Sequence, residues 1–294
     1  MLTTRLISAF VICVIGGIAF FANGWLGASL FLILALIAVW EIFGEYNIIV
    51  NRMGSDVKKT EMRVFTSLLI IMIATFPLFC STSDISPAAS AGWEIGILSV
   101  FLVYCFLMTF RESDFKKAFF GLAATVTGMV IVYGLLGFIP KLYFLSGVSG
   151  NGRWLLLFVL LVTKAGDVGA YSVGTLTSRR ASGNHKICPA LSPGKSWEGL
   201  AGGALGCFLV AIIFYAVGKD SLMVNGQPVL TLYSASLLAF AFAVLGLIGD
   251  LAVSFLKRAA QLDNSGRLPG LGGVLDVTDS LLFTVPLFYV YLHI

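Results

Sequence analysis

The chain has 294 residues, of which 58% are hydrophobic and 12% charged, with a formal net charge of +4. A mean hydropathy of +0.96 excludes an ordinary water-soluble domain, and the apolar runs with their short loops leave no stretch for a sizeable soluble one. The basic excess reads as membrane orientation and not as nucleic-acid binding.

Nine apolar runs approach the ~20 residues, at about 1.5 Å each, that cross a hydrocarbon core. They fall at about 5–22, 25–43, 64–80, 94–110, 118–139, 154–174, 200–218, 231–253 and 275–293. The first follows Arg5 and is read as an uncleaved span, because a second apolar run begins almost at once. The expected fold class is all-α, a polytopic transmembrane helical bundle of about nine spans. It forms a single integral membrane domain over 1–294, with N-terminal helices in 1–150 and the unusual polar sequence in 154–294.

Loop charges alternate. Arg52, Lys58, Lys59 and Arg63 follow the second run, and Arg111, Lys116 and Lys117 follow the fourth. Arg179, Arg180, Lys186 and Lys195 follow the sixth, and Lys257, Arg258 and Arg267 follow the eighth. The other loops are poor in cations, holding Lys141, Arg153 and Lys219. By the positive-inside rule this predicts an N-in, C-out protein. Trp25, Trp93 and Trp154 then sit at the outer interface, and the polar loops 174–199 and 254–274 face the cytoplasm, where nucleotides are.

Cys13, Cys80, Cys105, Cys188 and Cys207 form no CxxC pair and read as small reduced hydrophobes. His185 and His293 are the only histidines, which excludes a His-rich zinc site.

Three polar groups could carry chemistry. The first is Lys164 with Asp167, three apart on one face of the sixth span. An ionised Asp at membrane depth costs about 2.5–3.5 kcal/mol, so it faces a polar cavity or a partner; a functional group and a structural ion pair are both open readings. Gly166 and Gly169 permit close approach of a helix or ligand.

The second is the stretch Leu191 to Gly199, which contains Gly194-Lys195-Ser196. It is not a P-loop, which needs a glycine where Pro189 stands and a strand upstream. It reads as a loop entering the seventh span with Ser192 as an N-cap, and Lys195 with helix-start N–H groups would suit an anion. An ordinary basic loop with a Trp anchor is the plain alternative.

The third runs from Gly249 to Ser280. Gly249-Asp250 is expected to end or interrupt the eighth span, and Lys257 and Arg258 follow two turns later. Gly266, Gly270, Gly272 and Gly273 would let backbone approach phosphate oxygens. Asp276 and Asp279 are spaced i, i+3, as on one helix face. Hard oxygen ligands beside a phosphate suit Mg²⁺, and Asp250 with Asp276 could supply the pair. The plain alternative is acids that cap helices and balance Lys257 and Arg258.

On these residues the chain resembles the phosphatidate cytidylyltransferase (CDP-diacylglycerol synthase) family over roughly 160–290. The resemblance lies in Asp167 to Tyr171, Ser192 to Gly199, Gly249 to Leu251, Ser254 to Arg258, Ser265-Gly266 and Pro269 to Ser280. The chain departs from the family pattern at Val253 (usually Glu), Asp263-Asn264 (Lys-Asp), Leu271 (His) and Val277 (Arg), and by a loop one residue shorter between Gly266 and Pro269.

The resemblance implies an Mg²⁺-dependent reaction in which CTP and phosphatidate give CDP-diacylglycerol and pyrophosphate. It implies catalytic roles for Asp250, Lys257, Arg258, Asp276 and Asp279, with Asp250 and Asp276 as metal ligands and a second cation left open. Asp167, Ser192, Lys195, Ser196, Trp197, Glu198, Ser265, Gly266, Gly272 and Gly273 are the expected substrate and nucleotide-phosphate residues. The expected partners are CTP and bilayer phosphatidate, with no nucleic acid and a homodimer left open. The expected location is a bacterial-type inner membrane, with the active site facing the cytoplasm. Two rivals are a CTP-dependent polyprenol or phytol-type lipid kinase, which would release CDP, and a small-solute transporter using Lys164 and Asp167.

Overall fold

The computed structural model describes residues 16–18, 20–22, 24–54, 64, 66–72, 75, 87–110, 113–145, 150–180, 183–218, 221–224, 226–266 and 272–294. Most of the expected span 5–22 and about half of 64–80 lie outside these residues. So do Cys13, Cys80, Lys58, Lys59, Arg63, Arg111, Lys219, Arg267 and Leu271.

The chain is an all-α polytopic helical protein. Among the described residues six helices are long and apolar enough to cross a membrane. They lie at Gly24–Arg52, Gly92–Thr109, Phe115–Tyr143, Gly152–Ser178, Trp197–Val217 and Leu232–Ala259. Large apolar side chains such as Leu205, Ile213, Leu237 and Phe240 point outward from them, as a lipid-facing surface requires.

Two compact units divide the chain: 1–150 with 259–277, and 151–258 with 278–294. In the first unit, α1 (Gly24–Arg52) is followed by α2 (Pro87–Thr109) and α3 (Phe115–Met129). A π-helical turn (Val130–Leu135) then leads to the short α4 (Phe138–Tyr143). Asp114 caps α3 by accepting from the Lys116 and Lys117 N–H groups at 3.0 and 3.2 Å, which satisfies two otherwise unpaired donors. The buried face of α1 includes Ala28, Phe31, Ile42, Tyr46 and Ile49, at helical spacing. Phe31 stacks on Tyr143 with ring centroids 3.9 Å apart. Tyr46 donates its hydroxyl to the Ala124 carbonyl at 2.7 Å. Gly128 gives that ring room, since a Cβ there would lie 2.9 Å from Tyr46 Cδ1.

In the second unit, α5 (Gly152–Ser178) is followed by β1 (Lys186–Cys188), β2 (Ser192–Ser196) and α6 (Trp197–Val217). A small antiparallel pair, β3 (Met223–Val224) and β4 (Gln227–Pro228), precedes α7 (Leu232–Ala259). The short α8 (Val274–Thr278) and then α9 (Leu281–Tyr291) end the chain, and the unit boundary falls at Val277/Thr278 within α8. Helices α5 and α6 pack backbone to backbone through glycines: a Cβ on Gly203 would stand 3.1 Å from the Gly166 carbonyl, and one on Gly202 would stand 2.7 Å from that of Gly169. Only small residues allow such an approach. The core below this contact gathers Phe158, Phe214, Phe242 and Phe288.

Three expectations about local structure are corrected. Ser192 is not the cap of α6; it begins β2, which pairs antiparallel with β1. The cap is Ser196, whose backbone is extended and whose hydroxyl accepts the Gly199 N–H at 3.0 Å. Gly249-Asp250 does not end a helix: α7 continues unbroken to Ala259. There Gly249 serves packing, since a Cβ would meet the Asp279 and Ser280 backbone. Asp276 and Asp279 do not share a helix face, because α8 stops at Thr278 and Asp279 lies in the following turn.

Candidate functional site

The second unit gathers five charged side chains. Lys164 Nζ lies 2.9 Å from Asp167 Oδ2 and 2.8 Å from Ser280 Oγ. Ser280 Oγ in turn lies 2.9 Å from Asp167 Oδ2. The expected Lys164–Asp167 pair therefore forms, and Ser280 ties it to the start of α9. Lys195, brought in by β2, pairs with Asp250 on α7. Asp279 sits within electrostatic reach of Asp250, Lys164 and Asp167. Three carboxyl groups and two ammoniums thus stand close together, and carboxyl oxygens are the donors that a hard cation takes.

Burial pushes the Lys195 ammonium down, but Asp250, with Asp167 and Asp279 behind it, outweighs this and holds its pKa above the usual lysine value. Lys195 is thus a fixed positive charge at neutral pH. It borders a cavity of about 220 Å³, also lined by Thr163, Asp167, Tyr171, Ser196 and Gly246. Leu200, Phe242 and Leu247 add apolar walls.

Not every expected residue reaches that cavity. Ser192, Trp197 and Glu198 are not among its lining residues. Glu198 instead clasps the hairpin, taking the His185 N–H at 3.1 Å and His185 Nδ1 at 2.6 Å. That contact anchors the strand pair carrying Lys195 to the start of α6. Lys257 and Arg258 occupy the last turn of α7, where cations complement the helix dipole. Lys257 is seven residues beyond Asp250 and so shares its helix face. At 28 residues, α7 exceeds the ~20 needed to cross a bilayer core, leaving length for its basic end to reach the polar interface.

The first unit holds the other expected group. Asp276 Oδ2 accepts from Ser265 N and Ser265 Oγ, both at 2.9 Å, and from Gly273 N at 3.1 Å. Gly272 adopts φ +90°, and a Cβ there would collide with the Asp276 carboxylate. Ser265, Gly266, Gly272, Gly273 and Asp276 are therefore one folded motif.

Sequence reasoning missed its sixth member, Glu45 of α1. Ser265 Oγ lies 2.8 Å from Glu45 Oε2, and the Val274 and Leu275 N–H groups donate to Glu45 at 2.7 and 2.9 Å. The available signal was a carboxylate inside an apolar helix, which demands a partner.

Among the described residues no three or more His, Cys, Asp or Glu side chains group as a metal-binding cluster. Mg²⁺ does not need one, since it takes one or two carboxylates with substrate oxygens and water. Asp276, its orientation fixed by three hydrogen bonds to one oxygen, has the outer support that metal-ligating carboxylates carry. Asp250 is a carboxylate paired with Lys195 in the cluster of the second unit. The donor chemistry of both fits the ion.

Of the positions where the chain departs from the resembled family, Val253 is fully buried in α7, a place suited to an apolar side chain. Val277 is half-buried.

Comparison with known proteins identifies a family. The sequence model of the cytidylyltransferase family matches residues 3–294. The chain is 39% identical over 146 residues to a phosphatidate cytidylyltransferase of Haemophilus influenzae, covering 49% of this chain and 48% of that one. It is 35% identical over 143 residues to a phosphatidate cytidylyltransferase of Chlamydia pneumoniae, covering 49% and 44%. Against these two the chain spans about half the relative's length. A protein of the same name in Bacillus subtilis is 29% identical over 278 residues, covering 91% of this chain and 94% of that one.

Proposed function

The chain belongs to the cytidylyltransferase family, and on that premise we propose that it is a membrane-bound phosphatidate cytidylyltransferase of phospholipid biosynthesis. A phosphate oxygen of phosphatidate attacks the α-phosphorus of CTP. The bond from that phosphorus to the bridging oxygen of the β-phosphate breaks, pyrophosphate leaves, and CDP-diacylglycerol forms. The observation that carries the reading is the Lys195–Asp250 pair, within electrostatic reach of Asp167 and Asp279, with Lys195 and Asp167 lining a cavity.

The nucleophile is already an anion, so the protein's work is positioning and charge stabilisation and not proton abstraction. Lys195 meets the triphosphate as a permanent cation, and Lys257 and Arg258 add positive charge at the end of α7. Asp250 and Asp276 are the residues proposed to hold Mg²⁺, with Asp279 supporting them. When bound, the ion supplies Lewis-acid stabilisation of phosphate oxygens. Asp167, held by Lys164 and Ser280, gives the cavity a polar wall. Backbone around Ser265-Gly266 and Gly272-Gly273 supports Asp276, and Ser196 fixes the start of α6 beside Lys195.

The finer topology is proposed with it: nine spans, N-in and C-out, in a bacterial-type inner membrane with this chemistry on the cytoplasmic side. The alternating loop cations support that orientation. A homodimer and a second cation belong to the same proposal. Neither the lipid-kinase nor the transporter reading is favoured by a feature of the site. The test is purified protein in detergent with phosphatidate, α-labelled CTP and Mg²⁺. Labelled lipid with released pyrophosphate supports cytidylyl transfer; CDP with unlabelled phospholipid overturns it.

A further inference from the structure

Glu45 is a buried carboxylate that the proposed reaction does not use. It is 4% exposed and sits in a helix long and apolar enough to cross a membrane. An ionised carboxylate at such depth costs about 2.5–3.5 kcal/mol unless it is compensated. Its compensation comes from the motif that carries Asp276. Oε1 takes the Val274 N–H, while Oε2 takes the Leu275 N–H and lies beside the Ser265 hydroxyl. These amides open α8.

Asp276 grips the same motif through Ser265 and the Gly273 N–H. Ser265 Oγ thus stands between the two carboxylates, 2.8 Å from one and 2.9 Å from the other. The glycines belong to the same arrangement. A Cβ on Gly266 would lie 2.7 Å from the Glu45 carboxyl carbon, and one on Gly273 would collide with Glu45 and Ser265. At these two positions glycine makes room for Glu45, a requirement separate from backbone approach to phosphate.

We propose that Glu45 is a positioning residue: it holds Ser265 and the 273–275 backbone, and through them sets the orientation of the Asp276 carboxylate. The inference rests on the reading of Asp276 as a catalytic, metal-bearing group. A merely structural Glu45 would neutralise itself in the helix without governing Asp276.

The experiment uses the full chain in detergent, with Glu45→Gln, Glu45→Asp and Ser265→Ala, and with the exposed Glu41→Gln as control. Amide hydrogen exchange over 272–276 is measured beside kcat and the KM for CTP. In Glu45→Gln, exchange at 273–275 rises by at least about tenfold while exchange in α5 and α6 stays unchanged. If Asp276 is displaced by about 1 Å, kcat falls about 10²-fold, while the KM for CTP moves less than about threefold. Glu45→Asp recovers part of kcat, and adding Ser265→Ala to Glu45→Gln costs little further because both act through one network. Should Glu45→Gln not fold, Ser265→Ala takes its place with the same expected changes.

Unchanged exchange at 273–275 overturns the proposal. So does faster exchange with wild-type kcat, or a loss of activity matched by Glu41→Gln. If the wild-type chain transfers no cytidylyl group, the functional reading fails by itself, and the exchange result alone decides whether Glu45 holds the motif.

Discussion

Replacing Lys195 by methionine removes one charge from the site while keeping most of the side chain's volume. Lys195 and its partner Asp250 are 29% and 22% exposed. Breaking a fully buried pair costs roughly 3–5 kcal/mol, and an exposed one about 0–1 kcal/mol. At this partial burial the stability loss falls between these limits, about 2 kcal/mol. The catalytic loss is expected to be larger: a fixed cation aimed at charge developing on phosphate is worth about 10²–10³ in kcat.

The assay is transfer of α-labelled CTP into lipid, with thermal unfolding in detergent measured alongside. Because the folded-state pKa of Lys195 is raised above 10.5, its stabilisation is complete below the unfolded value. It is lost only as pH rises through the folded value. The Lys195 ammonium itself therefore does not titrate between about pH 6 and 9. A variant within about threefold of wild-type kcat would refute this reasoning.

Three further outcomes are expected. Gly202→Leu forces a side chain against Val173 and the Gly169 carbonyl; overpacking of this kind costs about 1–3 kcal/mol, read as a lower unfolding temperature. Tyr46→Phe removes the 2.7 Å hydrogen bond to Ala124 and lowers stability by about 1 kcal/mol, with kcat unchanged. Ser196→Ala removes the cap of α6, costing about 1 kcal/mol. Because Ser196 borders the cavity, the KM for CTP should also rise in direct kinetics.

Much of the helical architecture was legible because long apolar runs bounded by charged loops are the mark of helices that cross a bilayer. The expected span 154–174 lies inside α5, and 231–253 nearly coincides with the first part of α7. Boundaries were less legible. Gly249-Asp250 reads in the sequence as the end or an interruption of the eighth span, because glycine is a poor helix former. In the structure Gly249 marks a close crossing, and the helix continues past it to Ala259.

The hairpin of β1 and β2 escaped notice because Ser192 to Ser196 has neither apolar alternation nor β-branched residues, and tertiary placement decides it. Asp167, Lys195, Asp250 and Asp279 could be named as polar residues out of place in an apolar chain, but their grouping needed the fold. Glu45 lay 220 residues before Ser265, and nothing local announced a pairing at that separation.

Cytidylyl transfer by purified protein, compared with Asp276→Asn under varied Mg²⁺, tests the central claim most directly. Asn keeps the shape but loses the charge and puts an NH₂ in place of one oxygen within a site built from hydrogen-bond donors. The account predicts labelled CDP-diacylglycerol and stoichiometric pyrophosphate from the wild type. It predicts a loss of at least about 10²-fold in the variant that added Mg²⁺ does not restore. Labelled lipid formed equally well by folded Asp276→Asn, or formed by wild type without any divalent cation, would contradict it.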